Sequence, residues 1–188
     1  MKISLPLIIF FLFVSAQNPP VVDKAEAKKA FEYLNKIRAN PAAYSKELGV
    51  DLSKVKAQPA LKWNDTLAKV AEAKAMDMAK RAYFAHVDPE GKGINIMIHE
   101  AGYKLNPKWI NDKSKNFFES LEGGSVTGEL AIRHLVIDSP DQGFGHRKHL
   151  LGMEEFYASN KDVGIGFVLD PSGKYPGYMS IIIAKHDW

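Results

Sequence analysis

The chain of 188 residues carries 25 Lys and Arg against 22 Asp and Glu, with no cysteine and 46% hydrophobic residues. That length suits one domain with a sizeable core, and the missing cysteine excludes disulfides, iron–sulfur clusters, thiol catalysis and cysteine-based zinc sites. A net charge of +3 without any basic block gives no electrostatic reason to expect nucleic acid as a partner.

The one long apolar run comes first. Lys2 precedes the stretch from 5 to 14, and Ser15 and Ala16 end it on small residues. This pattern reads as a secretory signal peptide over 1–16. It is short for a bilayer span, and no later segment approaches the roughly 20 apolar residues that a membrane helix needs. The mature chain is therefore expected to be secreted, extracellular or in the cell envelope, without a transmembrane segment. A stiff leader with Pro19 and Pro20 is expected over 17–26, and the domain over 27–188.

In chain order, Asp23 and Glu26 have capping-box-like spacing ahead of Ala27, Ala30, Phe31, Leu34 and Ile37, which predicts an amphipathic helix. Pro41 should end it near Asn40, and a short helix is expected over 42–48. Asn64 and Thr66 supply cap oxygens for the strongest predicted helix, whose buried face is Leu67, Ala71, Ala75, Met78 and Ala82. It runs out into Tyr83, Phe84, Ala85 and His86, then a turn at 88–91. A short helix over 94–101 should stop at Gly102, with irregular chain to 114. A strand over 117–121, a glycine pair, a helix over 127–137 and a loop over 139–145 follow. Two runs rich in β-branched and aromatic residues, 163–169 and 178–184, flank a turn at 170–173 and predict a hairpin. Helices early and paired strands late argue an α+β fold.

Four segments in this order carry a family resemblance: Leu61, Lys62, Trp63 and Asn64 opening a helix; Tyr83, Phe84, Ala85 and His86 closing it; Glu119, Ser120 and Leu121 before a glycine pair; and Gly145, His146 and Arg147. Together with Val163, Gly164, Ile165, Gly166 and Phe167, they make the chain similar to the CAP superfamily. This is the SCP-domain class of cysteine-rich secretory, antigen 5 and pathogenesis-related class 1 proteins, here in a cysteine-free, bacterial-type form. The resemblance covers about 30–184. It implies an α-β-α sandwich, with an antiparallel sheet covered by helices on both faces and a cleft floored by two histidines and two acids. By position these are His86, Glu119, Asp138 and His146. Ser120 stands where the family often has Asn, and Asp138 is one methylene shorter than the usual glutamate.

The residues themselves leave two readings open. Two imidazoles and two carboxylates can hold a divalent metal such as zinc, with His86 and His146 as its nitrogen ligands. They can equally satisfy one another in a hydrogen-bonded cluster that fixes each tautomer. His149 lies three residues after His146 and could share its helix face; its expected place beside Arg147 and Lys148 is the surface. His99 is expected near the C-terminal end of a helix, and His134 and His186 at the surface or in packing. Asn64, Asp65 and Thr66 match a glycosylation sequon, a pattern that helix capping explains equally well. Tyr83, Phe84, Phe117, Phe118 and Phe144 could line a groove for a sterol, fatty acid or other apolar ligand, although most are expected in the core. The chain therefore reads as an extracellular binding or interaction module rather than an efficient enzyme. The alternative is a metal-dependent or serine-type hydrolase, for which Ser120 and Ser139 are the serines near candidate bases. No nucleophile-elbow motif supports it.

Overall fold

Asp23 accepts hydrogen bonds from the backbone of Ala25 and Glu26, so its carboxylate starts the first helix, α1 (Lys24–Ala39), one turn earlier than the apolar spacing alone indicates. The structure is a computed structural model and describes residues 18–139 and 143–186. The expected signal peptide lies outside the described residues. Much of the stretch expected as a leader belongs to the fold: Val21–Val22 forms a first strand, β1, and α1 begins before 27.

After α1, a single 3₁₀ turn and α2 (Ser45–Leu48) replace one continuous helix, and Gly49 closes them in the left-handed conformation. Lys62–Trp63 (β2) leads into the long helix α3 (Asp65–Arg81), capped by the Asn64 side chain at the Leu67 amide. Ala82, expected on the buried face, is instead exposed at the helix C-cap with a φ of 54°, so it turns the chain rather than packing. Then come α4 (Ile94–Glu100), β3 (Glu119–Gly123), α5 (Gly128–Ile137), α6 (Gly145–Leu151), α7 (Glu155–Ser159) and the hairpin of β4 (Asp162–Leu169) with β5 (Gly177–Ala184).

The sheet order is β1-β4-β5-β3, with β2 joined to β4 in parallel and every other pairing antiparallel. Side chains alternate across a strand, and the core divides accordingly. Val163, Ile165 and Phe167 of β4, with Met179, Ile181 and Ile183 of β5, pack beneath α1, α5 and α6. Val168, Tyr178, Ile182 and Ala184 face the layer of α3 and α4. The result is the expected sandwich, a mainly antiparallel sheet between two helical layers.

On the α3 side, β4 presents Gly164 and Gly166. A Cβ on Gly164 would stand 2.1 Å from the Ala68 amide nitrogen, and one on Gly166 2.2 Å from the Ala71 carbonyl carbon. Helix α3 thus lies directly on the strand backbone, a close approach that only glycine permits. Two arginines finish helices on the other face. Arg38 donates to the Leu150 carbonyl at the end of α6, and Arg147 to the Val136 and Ile137 carbonyls at the end of α5. Each satisfies carbonyls that a helix C-terminus leaves unpaired.

Candidate functional site

β3 is an edge strand of the sheet, and its alternation sends neighbouring residues into opposite layers. Glu119 pairs in register with Ile182 and faces the α3 layer; Ser120 pairs with Ile181 and faces the α6 layer. The strand is started by Asn116, whose side chain accepts from the Phe118 and Glu119 amides and donates to the Glu119 carbonyl. This side-chain turn holds Glu119 at the strand's first position.

On one side of β3, His86 sits on the chain that leaves α3, and its Nδ1 lies 2.8 Å from Glu119 Oε2. The other carboxylate oxygen accepts from Ser180 at 2.7 Å. Glu119 is buried, so both its oxygens are spoken for by side chains rather than water.

On the other side, Asp138 follows α5 with a φ of 48°, in the left-handed region that Asp tolerates better than most residues. That turn aims its carboxylate at the start of α6. There it accepts from the backbone of His146 at 3.0 Å and Arg147 at 3.2 Å, and lies 2.8 Å from His146 Nδ1. The shorter side chain reaches its histidine because the helix stops just before it.

The two halves meet around a cavity of about 180 Å³ walled by His86, Glu119, Ser120, His146, His149 and Tyr157 among others. A neighbouring groove of about 330 Å³ shares His146 and continues past Asp138, Phe84 and Ile137 to His134. In both halves, Nδ1 is engaged by a buried carboxylate. Nε2 is then the ring nitrogen left for a ligand, with its tautomer fixed by the acid. The four residues expected from the sequence thus converge as two imidazole–carboxylate pairs.

Two expectations are corrected. His149 is not on the surface: it is 3% exposed, its Nδ1 lies 2.7 Å from the Ser120 hydroxyl, and its ring packs on Tyr157. Helix α6 is so short and so deeply seated that its last turn, with Leu150 and Leu151, lies in the core. Burial pushes the His149 imidazole down to about 3, and Nε2 has no hydrogen-bond partner among the described residues. His134 is exposed at the surface, as expected, and its ring is engaged there. Its Nδ1 lies 3.1 Å from Glu122 and from Ser125, while Ser125 donates to Glu122 at 2.8 Å. The aromatic residues are the second correction. Phe118 is buried, but Phe84, Phe117 and Phe144 are 38%, 36% and 39% exposed, with Phe117 lining the cavity and Phe84 the neighbouring groove.

His99 stands in the last turn of α4 as expected, accepting from the Leu105 amide. His186 lies at the edge of the Tyr103 ring. Neither serine–histidine contact forms a proton relay. His149 has no acid on its far nitrogen, and Ser125, Glu122 and His134 all meet at one nitrogen. No group of three or more potential metal ligands occurs among the described residues. No described helix is long and apolar enough to cross a membrane.

The profile of CAP, the cysteine-rich secretory protein family, matches residues 31–183. No curated protein matches the chain. Among solved structures, an outer surface protein from Borrelia burgdorferi aligns at 16% identity with a TM-score of 0.55, covering 89% of this chain and 98% of the other. An extracellular SCP-domain protein from Bacillus anthracis aligns at 20% identity and the same TM-score of 0.55. That alignment covers 87% of this chain but 41% of the larger protein. At these identities the likeness is one of fold.

Proposed function

Because the chain belongs to the CAP family of cysteine-rich secretory proteins, we propose that it is an extracellular binding module whose ligand is held over β3 by His86 and His146. The observation that carries this reading is the pair of imidazoles, each fixed through Nδ1 by its own buried carboxylate. Such pairing costs flexibility and leaves Nε2 presented in one orientation, which is what a ligand-binding nitrogen requires. The outer-surface and extracellular descriptions of the two structural neighbours support the setting. The apolar run over 1–16 supports export.

Two ligand chemistries suit the cleft. A zinc-like ion would be held by Nε2 of His86 and His146, with Glu119 and Asp138 behind them. Bound there, it would supply a Lewis acid to whatever completes its coordination. Two nitrogens fall short of the three or four protein ligands of a resident zinc, so the ion belongs to an exchangeable site whose remaining positions the ligand fills. The exposed Phe84 and Phe117 favour an apolar ligand, such as a sterol or fatty acid, lying along the rim. The hydrolase reading has no comparable support: Ser120 meets a histidine with no acid on its far nitrogen, and among the described residues no hydrogen bond joins Ser139 to a histidine.

Native mass spectrometry of secreted protein, with elemental analysis of the same sample, tests the proposal. The expected result is a chain beginning at Gln17 that carries a lipid-sized adduct or substoichiometric metal. A full-length, membrane-retained chain, or a mature chain that binds neither zinc nor lipid when they are added back, would contradict it.

A further inference from the structure

A second cavity, of about 420 Å³, opens beside α3, away from the residues that surround the imidazoles. Lys74, Asp77 and Arg81 reach it from one helix face at i, i+3 and i+7 spacing. Val70, Ala73 and Met97 give it apolar walls. Lys74 is unusual there. It is 2% exposed, and lysine is almost never that buried unless paired with an acid. Among the described residues it makes no ion pair within 4.0 Å.

Its ammonium instead donates to the Tyr83 hydroxyl at 3.2 Å and lies 4.8 Å from the centre of that ring. Tyr83 in turn donates to Asp77 at 2.6 Å. The charges that act on Lys74 are Glu119, Asp88 and Asp77, which favour the ammonium, and Arg81, which opposes it. Burial outweighs them and holds the amine below its ordinary range, while burial and the Asp77 carboxylate push the Tyr83 phenol up. The other cations of the cavity are taken: Arg81 by Glu90 and Lys92 by Glu100. With those two cations matched, Lys74 is the lining amine that no carboxylate within 4.0 Å pairs among the described residues, and Asp77 and Asp88 leave the cavity no net positive charge to select an anion.

We propose that Lys74 is a nucleophilic amine that condenses with a small neutral aldehyde or ketone in this cavity, using Tyr83 and Asp77 as its proton relay. A Lys74 proton passes to the Tyr83 oxygen as the Tyr83 proton passes to Asp77. The neutral amine adds its electron pair to the carbonyl carbon, and the carbonyl oxygen takes a proton from the new ammonium to give a carbinolamine. The borrowed proton returns through Tyr83 to the hydroxyl, the C–O bond breaks, and water leaves. The product is a protonated imine, with one water released and no redox change. Desolvated lysines beside a proton acceptor are suited to this addition.

Reductive trapping tests it on the purified full-length mature chain. Propanal and sodium cyanoborohydride at neutral pH convert any imine formed to a stable propylamine, which peptide mass mapping locates. An amine held below its ordinary range has a larger neutral fraction at pH 7. Lys74, with its Tyr83 and Asp77 relay, should therefore be propylated several-fold faster than the median of the other lysines. Tyr83→Phe should slow labelling at Lys74 several-fold and leave the other sites unchanged. Labelling of Lys74 at the rate of exposed lysines, no labelling of it, or an unchanged rate in Tyr83→Phe would each overturn the proposal. The wild-type map decides the question even where a variant folds poorly.

Discussion

His149 shows at the scale of one residue how burial converts a common side chain into a structural constant. An imidazole held at about 3 in the folded chain and near 6.5 when unfolded is neutral in the native state across the physiological range. Between those two values the unfolded chain binds the extra proton, so stability is complete above about pH 6.5 and falls as pH drops toward 3. The slope from this one group is about 1.4 kcal/mol per pH unit. Urea denaturation of wild type and His149→Asn at a series of pH values should show the difference in stability shrinking as pH falls below 6.5. A difference that stays constant across that range would mean the ring is not buried and neutral. The i, i+3 spacing to His146 signalled that His149 shares that helix, but spacing does not say which face is buried. The seven residues of α6 are too few for a periodic pattern to declare itself, and its depth was decided by the sheet beneath.

Among elements, the contact of α3 with β4 governs where the cleft and the second cavity lie. Helix α3 carries Lys74 and delivers His86 from its C-terminal end, so its height above the sheet sets both. Gly166→Ala would force the Ala71 backbone away and should cost about 3 kcal/mol, the upper part of the usual range for overpacking. Gly49→Ala, left-handed with a φ of 68° but with open space around it, should cost about 1 kcal/mol by conformational strain alone. Equal losses in the two variants by denaturant titration would refute the close approach. Much of this layer was legible in the sequence: the Asn64 cap, the long helix, and the hairpin of β-branched and aromatic runs. Their signals are local and strong. β1 and β2 were not, because two-residue strands owe their existence to pairing with β4 rather than to any pattern of their own. The exposed phenylalanines misled for a related reason, since apolarity favours burial but a cleft rim can leave a large side chain in water.

For the whole molecule, the edge strand β3 joins the two helical layers and divides its side chains between them, so His86, Glu119 and His146 line one cavity while Asp138 lines the neighbouring groove and holds His146 from behind. The four cleft residues were legible through their family resemblance. Composition and spacing alone left a ligand site and a self-satisfied polar cluster equally open. The geometry fits a site in which each acid orients an imidazole, and the account stands on both Nε2 atoms serving one ligand. Zinc titration of the mature protein, followed by ¹H–¹⁵N correlation spectra of the histidine rings, tests that most directly. The account predicts that the Nε2 signals of His86 and His146 shift together and saturate together. Uptake should weaken in acid, since a protonated ring has no lone pair to give, and vanish in the His86→Ala/His146→Ala double variant. Full zinc uptake by that variant, or a response at His134 or His149 with His86 and His146 unmoved, would contradict it.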